Sequence, residues 1–407
     1  RAVQGLFHTN LPVTLPESLV RRLFAPDGTL RGSVTKFEQY RSCPFAYFSR
    51  YGLGLEERPR YQFAAPDLGM LVHGALRIIG ERLLREQKQW HDIPDADVPA
   101  ICRQATDELA PQVQHDILMS NAYFAQIKER LIQTLTRTVR RLSAFSAVSD
   151  FHMEGLEKSF GRPGSPWEAL RFTLKNGLQV VVTGQIDRID TLRQGDHKYV
   201  VIIDYKSGRK QLDISQIFTG LELQLLTYMF VALLNIGGDA IPAAVLYCYV
   251  RNDKVSLEYR VSEEDKKKLY DAKGKLTGFY LDDGQVMQQL DTSMQGFSDF
   301  LNLRLKKDGT LSDSSHTLYN EAGWSHLLDW AARQIRDIAG HIGDGDISIH
   351  PILMGQQAPC SYCPYRPVCR FDVAVAGNTY DAAGREDTDE MIQKMFDEGD
   401  DEHGLDE

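Results

Sequence analysis

An α/β fold, with helices arranged around one central sheet, is predicted by three features of this 407-residue sequence. Apolar residues recur at helical spacing through Leu68, Leu71, Val72, Ala75, Leu76, Ile79 and Leu83. After Phe151 the pattern changes to short β-rich runs at 170–174, 178–184 and 186–192, then the very apolar Tyr199–Asp204. A helical stretch over 215–234 and a buried strand over 243–250 follow, giving the alternation of a layered α/β core.

Taken in order, residues 1–32 read as an irregular lead-in, because Pro12, Pro16 and Pro26 stand too close together for one continuous helix. The folded domain is expected over 33–375. Thr35 followed by Glu38 makes a capping-box pattern, so a helix is predicted from about Lys36 into Cys43, interrupted at Pro44 and stopped by Gly52. His73 rides on the helix over 68–84, between Gly69 and Gly74, which permit close approach of another element. The predicted parts are a helical region (about 66–150), a catalytic α/β core (about 151–260) and a C-terminal helical and cysteine region (about 261–375).

The 43% hydrophobic content suffices for at least one large core, and no window nears the roughly 18 uninterrupted apolar residues of a membrane span. Without a signal-peptide pattern, a cytoplasmic location is the expectation. The chain begins at Arg1 and not at Met, which suggests a piece of a longer polypeptide. The net charge of −10 sits at the C-terminus: residues 381–407 hold twelve acidic side chains against Arg385 and Lys394. The remainder is neutral overall, so the acidic balance does not exclude a basic groove for nucleic acid. The segment 376–407 reads as a solvated, disordered acidic tail.

The strongest chemical signal is Gly184-Gln-Ile-Asp187-Arg-Ile-Asp190, followed seventeen residues after Asp187 by Asp204-Tyr205-Lys206-Ser207-Gly208. On adjacent strands Asp187 and Asp204 would bring two carboxylates to one point, where a hard divalent cation such as Mg²⁺ relieves their repulsion. Asp204 and Lys206, two apart, leave one face of a strand, which puts an ammonium beside the metal for phosphodiester hydrolysis. Asp190, three from Asp187, should face the other way. A neutral His73 imidazole is a further candidate ligand. Gln224 and Tyr228 share a helical face. Glu157 is a possible accessory acid that also reads as an ordinary surface strand residue.

Cys360, Cys363 and Cys369 fall within ten residues of a loop stiffened by Pro359, Pro364 and Pro367, which is a metal-binding pattern. Cys102 and Cys248 lie in stretches where cysteine is an ordinary core residue, so Cys43, followed by Pro44, is the best fourth ligand. Spacing alone leaves zinc and a 4Fe-4S cluster equally open. Either would tie residue 43 to 369, closing a loop that costs roughly 5 kcal/mol of chain entropy.

With these residues in view, the sequence resembles a known family. Ser33-Val-Thr-Lys-Phe-Glu38, Tyr40, Cys43-Pro44-Phe45, Tyr47-Phe48, Tyr51-Gly52-Leu53, Leu68-Gly69, Val72-His73, Gly184 with Ile186-Asp187-Arg188-Ile189-Asp190, Asp204-Tyr205-Lys206-Ser207-Gly208, Gly220-Leu221, Leu223-Gln224-Leu225 and the cysteine triplet follow the order of the AddB nuclease domain. AddB pairs with AddA in the bacterial AddAB helicase-nucleases, and the resemblance covers about residues 33–372. It implies a PD-(D/E)XK nuclease core, a central mixed sheet flanked by helices, with a helical insertion and an iron-sulfur staple. It further implies Mg²⁺-dependent DNA cleavage during double-strand-break processing, with an AddA-type subunit as partner. By it His73, Asp187 and Asp204 are metal ligands, Lys206 the catalytic lysine, Gln224 and Tyr228 accessory catalytic residues, and Cys43, Cys360, Cys363 and Cys369 the ligands of a 4Fe-4S cluster. The family's large helicase-like N-terminal region has no counterpart here, and no Gly-x-x-x-x-Gly-Lys-Ser/Thr phosphate loop occurs, so ATP hydrolysis is not expected. Two other readings share features of the sequence: a stand-alone iron-sulfur exonuclease of the CRISPR-adaptation type, and a non-catalytic DNA-binding scaffold.

Overall fold

A computed structural model describes residues 9–58, 63, 65–113, 117–208, 212–250, 262, 274–312, 316–384 and 386–400. The expected boundary near 260 lies outside the described residues. At the centre of the fold is an eight-stranded mixed sheet in the order β1-β4-β5-β6-β7-β8, with β2 and β3 also paired to β4. The strands are β1 (Thr29–Ser33), β2 (His152–Phe160), β3 (Arg171–Thr173), β4 (Gln179–Gln194), β5 (His197–Lys206), β6 (Ala240–Tyr249), β7 (Thr277–Leu281) and β8 (Leu318–Tyr319). Pairing of β5 with β6 is parallel, and the chain crosses between them through helices Ile214–Phe218 and Gln224–Ile236.

The two runs expected over 178–184 and 186–192 form the single strand β4. Gly184 stays extended and serves packing: a Cβ there would lie 2.3 Å from Cζ of Phe160 on β2. The predicted 215–234 helix is two helices, because Gly220 adopts φ +78°, a left-handed turn that ends the first. The lead-in is more ordered than predicted. Helix Glu17–Phe24 starts directly after Pro16, stops before Pro26, and is followed by β1, so the prolines flank the helix without interrupting it.

The helical region is built from Ala65–Arg85, Val98–Leu109 and Ala122–Ser146. Helix Ala65–Arg85 docks closely at two glycines: a Cβ on Gly74 would meet Leu109 at 2.8 Å, and one on Gly80 would meet Leu156 of β2 at 2.4 Å. Among the described residues, no helix is long and apolar enough to cross a membrane.

Two expectations need correction. The tail is ordered over much of its length: β10 (Asp381–Ala383) pairs in parallel with β9 (Ile352–Met354), and helix Thr388–Asp400 buries Met391 and Met395. Its apolar side chains sit at helical spacing among the acids, which a charge count conceals. Helix Val34–Ser42 is capped by Ser33, whose hydroxyl accepts from Lys36 N at 3.3 Å, and not by a Thr35–Glu38 box. Glu38 points to another helix.

Candidate active site

Asp187 on β4 and Asp204 on β5 come together because the antiparallel register pairs Arg188 with Ile203, so the next position along sets the two aspartates opposite one another. The backbone N of Tyr205 donates to Asp187 Oδ2 at 2.9 Å. Asp204 is almost fully buried. Burial pushes its carboxyl upward in pKa, the charge of Asp187 adds to the rise, and Lys206 opposes it.

Lys206 leaves the same face as Asp204, with Nζ 2.6 Å from Asp204 Oδ2. Its ammonium also donates to Gln224 Oε1 at 3.0 Å. The Gln224 amide nitrogen donates to Asp204 Oδ1 at 3.1 Å and to the Tyr228 hydroxyl at 3.0 Å. This amide orientation is fixed by chemistry, since an ammonium can only donate and a carboxylate only accept. Gln224 and Tyr228 meet because they are one turn apart on helix Gln224–Ile236. The Tyr228 ring packs edge-on to Phe160 at 5.8 Å, over Gly184, and burial raises its hydroxyl's pKa.

On the other side of Asp187, helix Ala65–Arg85 delivers His73, whose Nδ1 lies 3.2 Å from Asp187 Oδ2. Burial works against the protonated imidazole, but the hydrogen bond and charge of Asp187 outweigh it and raise the His73 pKa. Glu157 completes the group: ligand atoms of His73, Glu157 and Asp187 lie within 4.8 Å of one another. Its backbone adopts φ +48°, rare for a residue with a side chain, and Gln185 Nε2 donates to its carboxylate. Burial, followed by the charge of Asp187, pushes Glu157 up to about 7. Glu157, read from sequence as either an accessory acid or a surface strand residue, reaches this group because β2 sets it opposite Asp187.

Asp190 does face away from this group. It holds Arg188 in a two-pronged pair at 2.7 and 2.6 Å, both side chains buried, with the guanidinium 5.6 Å from the Trp90 ring centroid. The Asp-Arg-x-Asp segment thus turns one carboxylate to the site and another to the helical region.

The cysteines divide as sharply. Cys43, at the C-terminal cap of helix Val34–Ser42, lines one pocket with Cys360, Cys363 and Cys369. Pro351, Pro359, Phe371 and Arg366 are among the other residues that line it. Burial pushes the Cys43 thiol up to about 11, with Cys363 adding to the rise. Cys102 and Cys248 are buried elsewhere in the core.

Paired carboxylates on neighbouring strands, with a lysine two residues beyond the second, are the arrangement to compare with known proteins. A model of the PD-(D/E)XK nuclease superfamily matches residues 31–370. The chain belongs to the PD-(D/E)XK nuclease superfamily. Nucleases of this superfamily use divalent metal ions, and His73, Glu157 and Asp187 form a group that could hold one. The chain is also similar to AddB proteins, whose name describes a subunit of an ATP-dependent helicase/deoxyribonuclease. The one from Bacillus pumilus is 32% identical over 404 residues, covering 98% of this chain and 34% of that protein. Those from Bacillus subtilis and Moorella thermoacetica are 34% and 36% identical, covering 92% and 94% of this chain. The chain spans about a third of the length of these relatives.

Proposed function

We propose that this chain is the nuclease portion of an AddB-type protein, hydrolysing DNA phosphodiester bonds during double-strand-break end processing, with Mg²⁺ as the working metal. The observation that carries this reading is the closed Asp204–Lys206–Gln224 contact set beside Asp187. Asp187, Asp204 and His73 would hold the cation, and Glu157 joins them from β2. Two like-charged carboxylates, both buried, form a donor set suited to a hard divalent ion. When bound, such a cation polarises a phosphoryl oxygen and lowers the pKa of a water. Lys206 supplies positive charge where negative charge develops on the phosphate, and Gln224 with Tyr228 holds the ammonium in one rotamer. Asp204→Ala should abolish Mg²⁺-dependent cleavage of single-stranded DNA with the fold retained; cleavage at the parental rate would overturn the assignment.

Cys43, Cys360, Cys363 and Cys369 would hold a 4Fe-4S cluster, tying the first helix of the domain to its last loop. The meeting of these four cysteines on one largely apolar pocket supports a shared metal centre, and the resemblance to the AddB nuclease domain favours iron-sulfur over zinc.

The nuclease unit would extend beyond about 33–375 at both ends, because β1 pairs with β4 and Met391 and Met395 pack into the main core. DNA and an AddA-type subunit are its partners in this reading, and the cytoplasm its location. The ATP dependence in the relatives' name is not assigned to this chain, whose sequence has no phosphate loop.

A further inference from the structure

Helix Gln224–Ile236 has no side-chain cap of its own: Leu223 occupies the cap position. Its first amides are instead bonded by a residue far away in sequence. Glu38 Oε1 accepts from Leu223 N at 2.8 Å and from Gln224 N at 3.2 Å. A carboxylate here satisfies otherwise orphaned donors and complements the positive end of the helix. Three residues along, Arg41 Nε donates to Thr219 O at 2.7 Å, while Arg41 Nη1 reaches Asp381 at 2.6 Å. Glu222, fully buried between these grips, accepts from the Tyr247 hydroxyl, and Lys206 Nζ lies 5.3 Å from the Tyr247 ring centroid.

The segment entering the Gln224 helix is therefore gripped by helix Val34–Ser42 and by β6. Gln224 is the first residue of its helix, so the backbone atom that Glu38 holds belongs to the residue whose side chain orients Lys206 and Asp204. We propose that Glu38 is a positioning residue for the hydrolytic site, acting through Gln224 to fix the Lys206 ammonium. This inference rests on the nuclease reading above.

The experiment is a cycle of the full chain: parent, Glu38→Ala, Gln224→Ala and the double variant, with Glu38→Gln as the conservative control. Single-turnover cleavage of single-stranded DNA at saturating Mg²⁺, the KM for DNA, and amide hydrogen exchange are measured on each. Glu38→Ala should lower the rate by about 10- to 100-fold with a much smaller change in KM. Glu38→Gln should recover most of the rate, because its amide oxygen can accept the same two N–H groups. The double variant should be no slower than Gln224→Ala alone. Exchange should rise at 219–226 in Glu38→Ala and stay unchanged over β4 and β5.

An unchanged rate in Glu38→Ala, or losses that multiply in the double variant, would overturn the proposal while leaving the nuclease reading intact. Exchange rising throughout the sheet would show general destabilisation and also overturn it. If Gln224→Ala cleaves like the parent, Glu38 has nothing to act through and the proposal fails. A parent that cleaves no DNA with Mg²⁺ or Mn²⁺ would overturn the nuclease reading itself, and the role of Glu38 with it.

Discussion

Glu157 stands across the β2–β4 pair from Asp187, between the register pairs Leu156–Arg188 and Lys158–Ile186. Two carboxylates thus share one face with His73. In metal-free protein Glu157 is protonated in both folded and unfolded states below an ordinary carboxyl value of about 4.3. As pH rises through its folded value of about 7, it must ionise beside Asp187, and that stability is lost. Glu157→Gln should therefore be neutral near pH 4 and stabilising at pH 8 by roughly 1 kcal/mol, discounted for the partial exposure of the group. Thermal unfolding at both pH values checks this. Saturating Mg²⁺ at pH 8 should favour the parent instead. An equal difference at both pH values would remove Glu157 from the cation site.

Lys206 separates metal binding from chemistry. Its loss in Lys206→Ala removes a cation that repels Mg²⁺, so calorimetric affinity should hold or rise, while single-turnover cleavage falls by about 100-fold or more. Lys206→Arg should rescue poorly, because a planar guanidinium cannot occupy the point between Asp204 and Gln224. A parallel loss of affinity and rate would make Lys206 a strut.

Any of Cys43, Cys360, Cys363 or Cys369 changed to Ala should bleach the visible absorbance of anaerobically purified protein. Protease sensitivity should rise near both 43 and 369, the two ends that the pocket joins. Cys102→Ala, in a core position, should keep its colour. Zinc without iron in the parent preparation would reverse the choice of metal.

Gly184→Ala tests the wall behind Tyr228. The added methyl would meet the Phe160 ring at 2.3 Å and the Tyr228 ring at 3.1 Å. Overpacking should cost about 1–3 kcal/mol in chemical denaturation, and cleavage should fall beyond what stability explains, as Tyr228 loses its place beside Gln224. A variant of parental stability would show that the two rings yield freely.

The carboxylate pair and its lysine were legible in sequence because strand geometry is simple: period two puts Asp204 and Lys206 on one face, and Asp190 away from Asp187. Apolar spacing likewise gave the His73 helix and the long central strands. What escaped were relationships between distant segments. Glu38 has the spacing of a local capping box, yet Ser33 caps its helix and Glu38 caps another, 185 residues on. Glu157 is open in sequence between an accessory acid and a surface residue, and its place opposite Asp187 comes from the partner strand. The acidic tail misled through composition, since the buried Met391 and Met395 are outnumbered by the charges around them.

Helix Val34–Ser42 presents Glu38 to the Gln224 helix and ends at Cys43 in the cysteine pocket. Less than two turns of backbone separate the two. Under the cluster assignment proposed above, bleaching would loosen the grip of Glu38 on the Gln224 helix. A partly bleached preparation should then cleave in two phases, a fast one whose amplitude tracks the remaining colour and a second slowed by about 10- to 100-fold, as for Glu38→Ala.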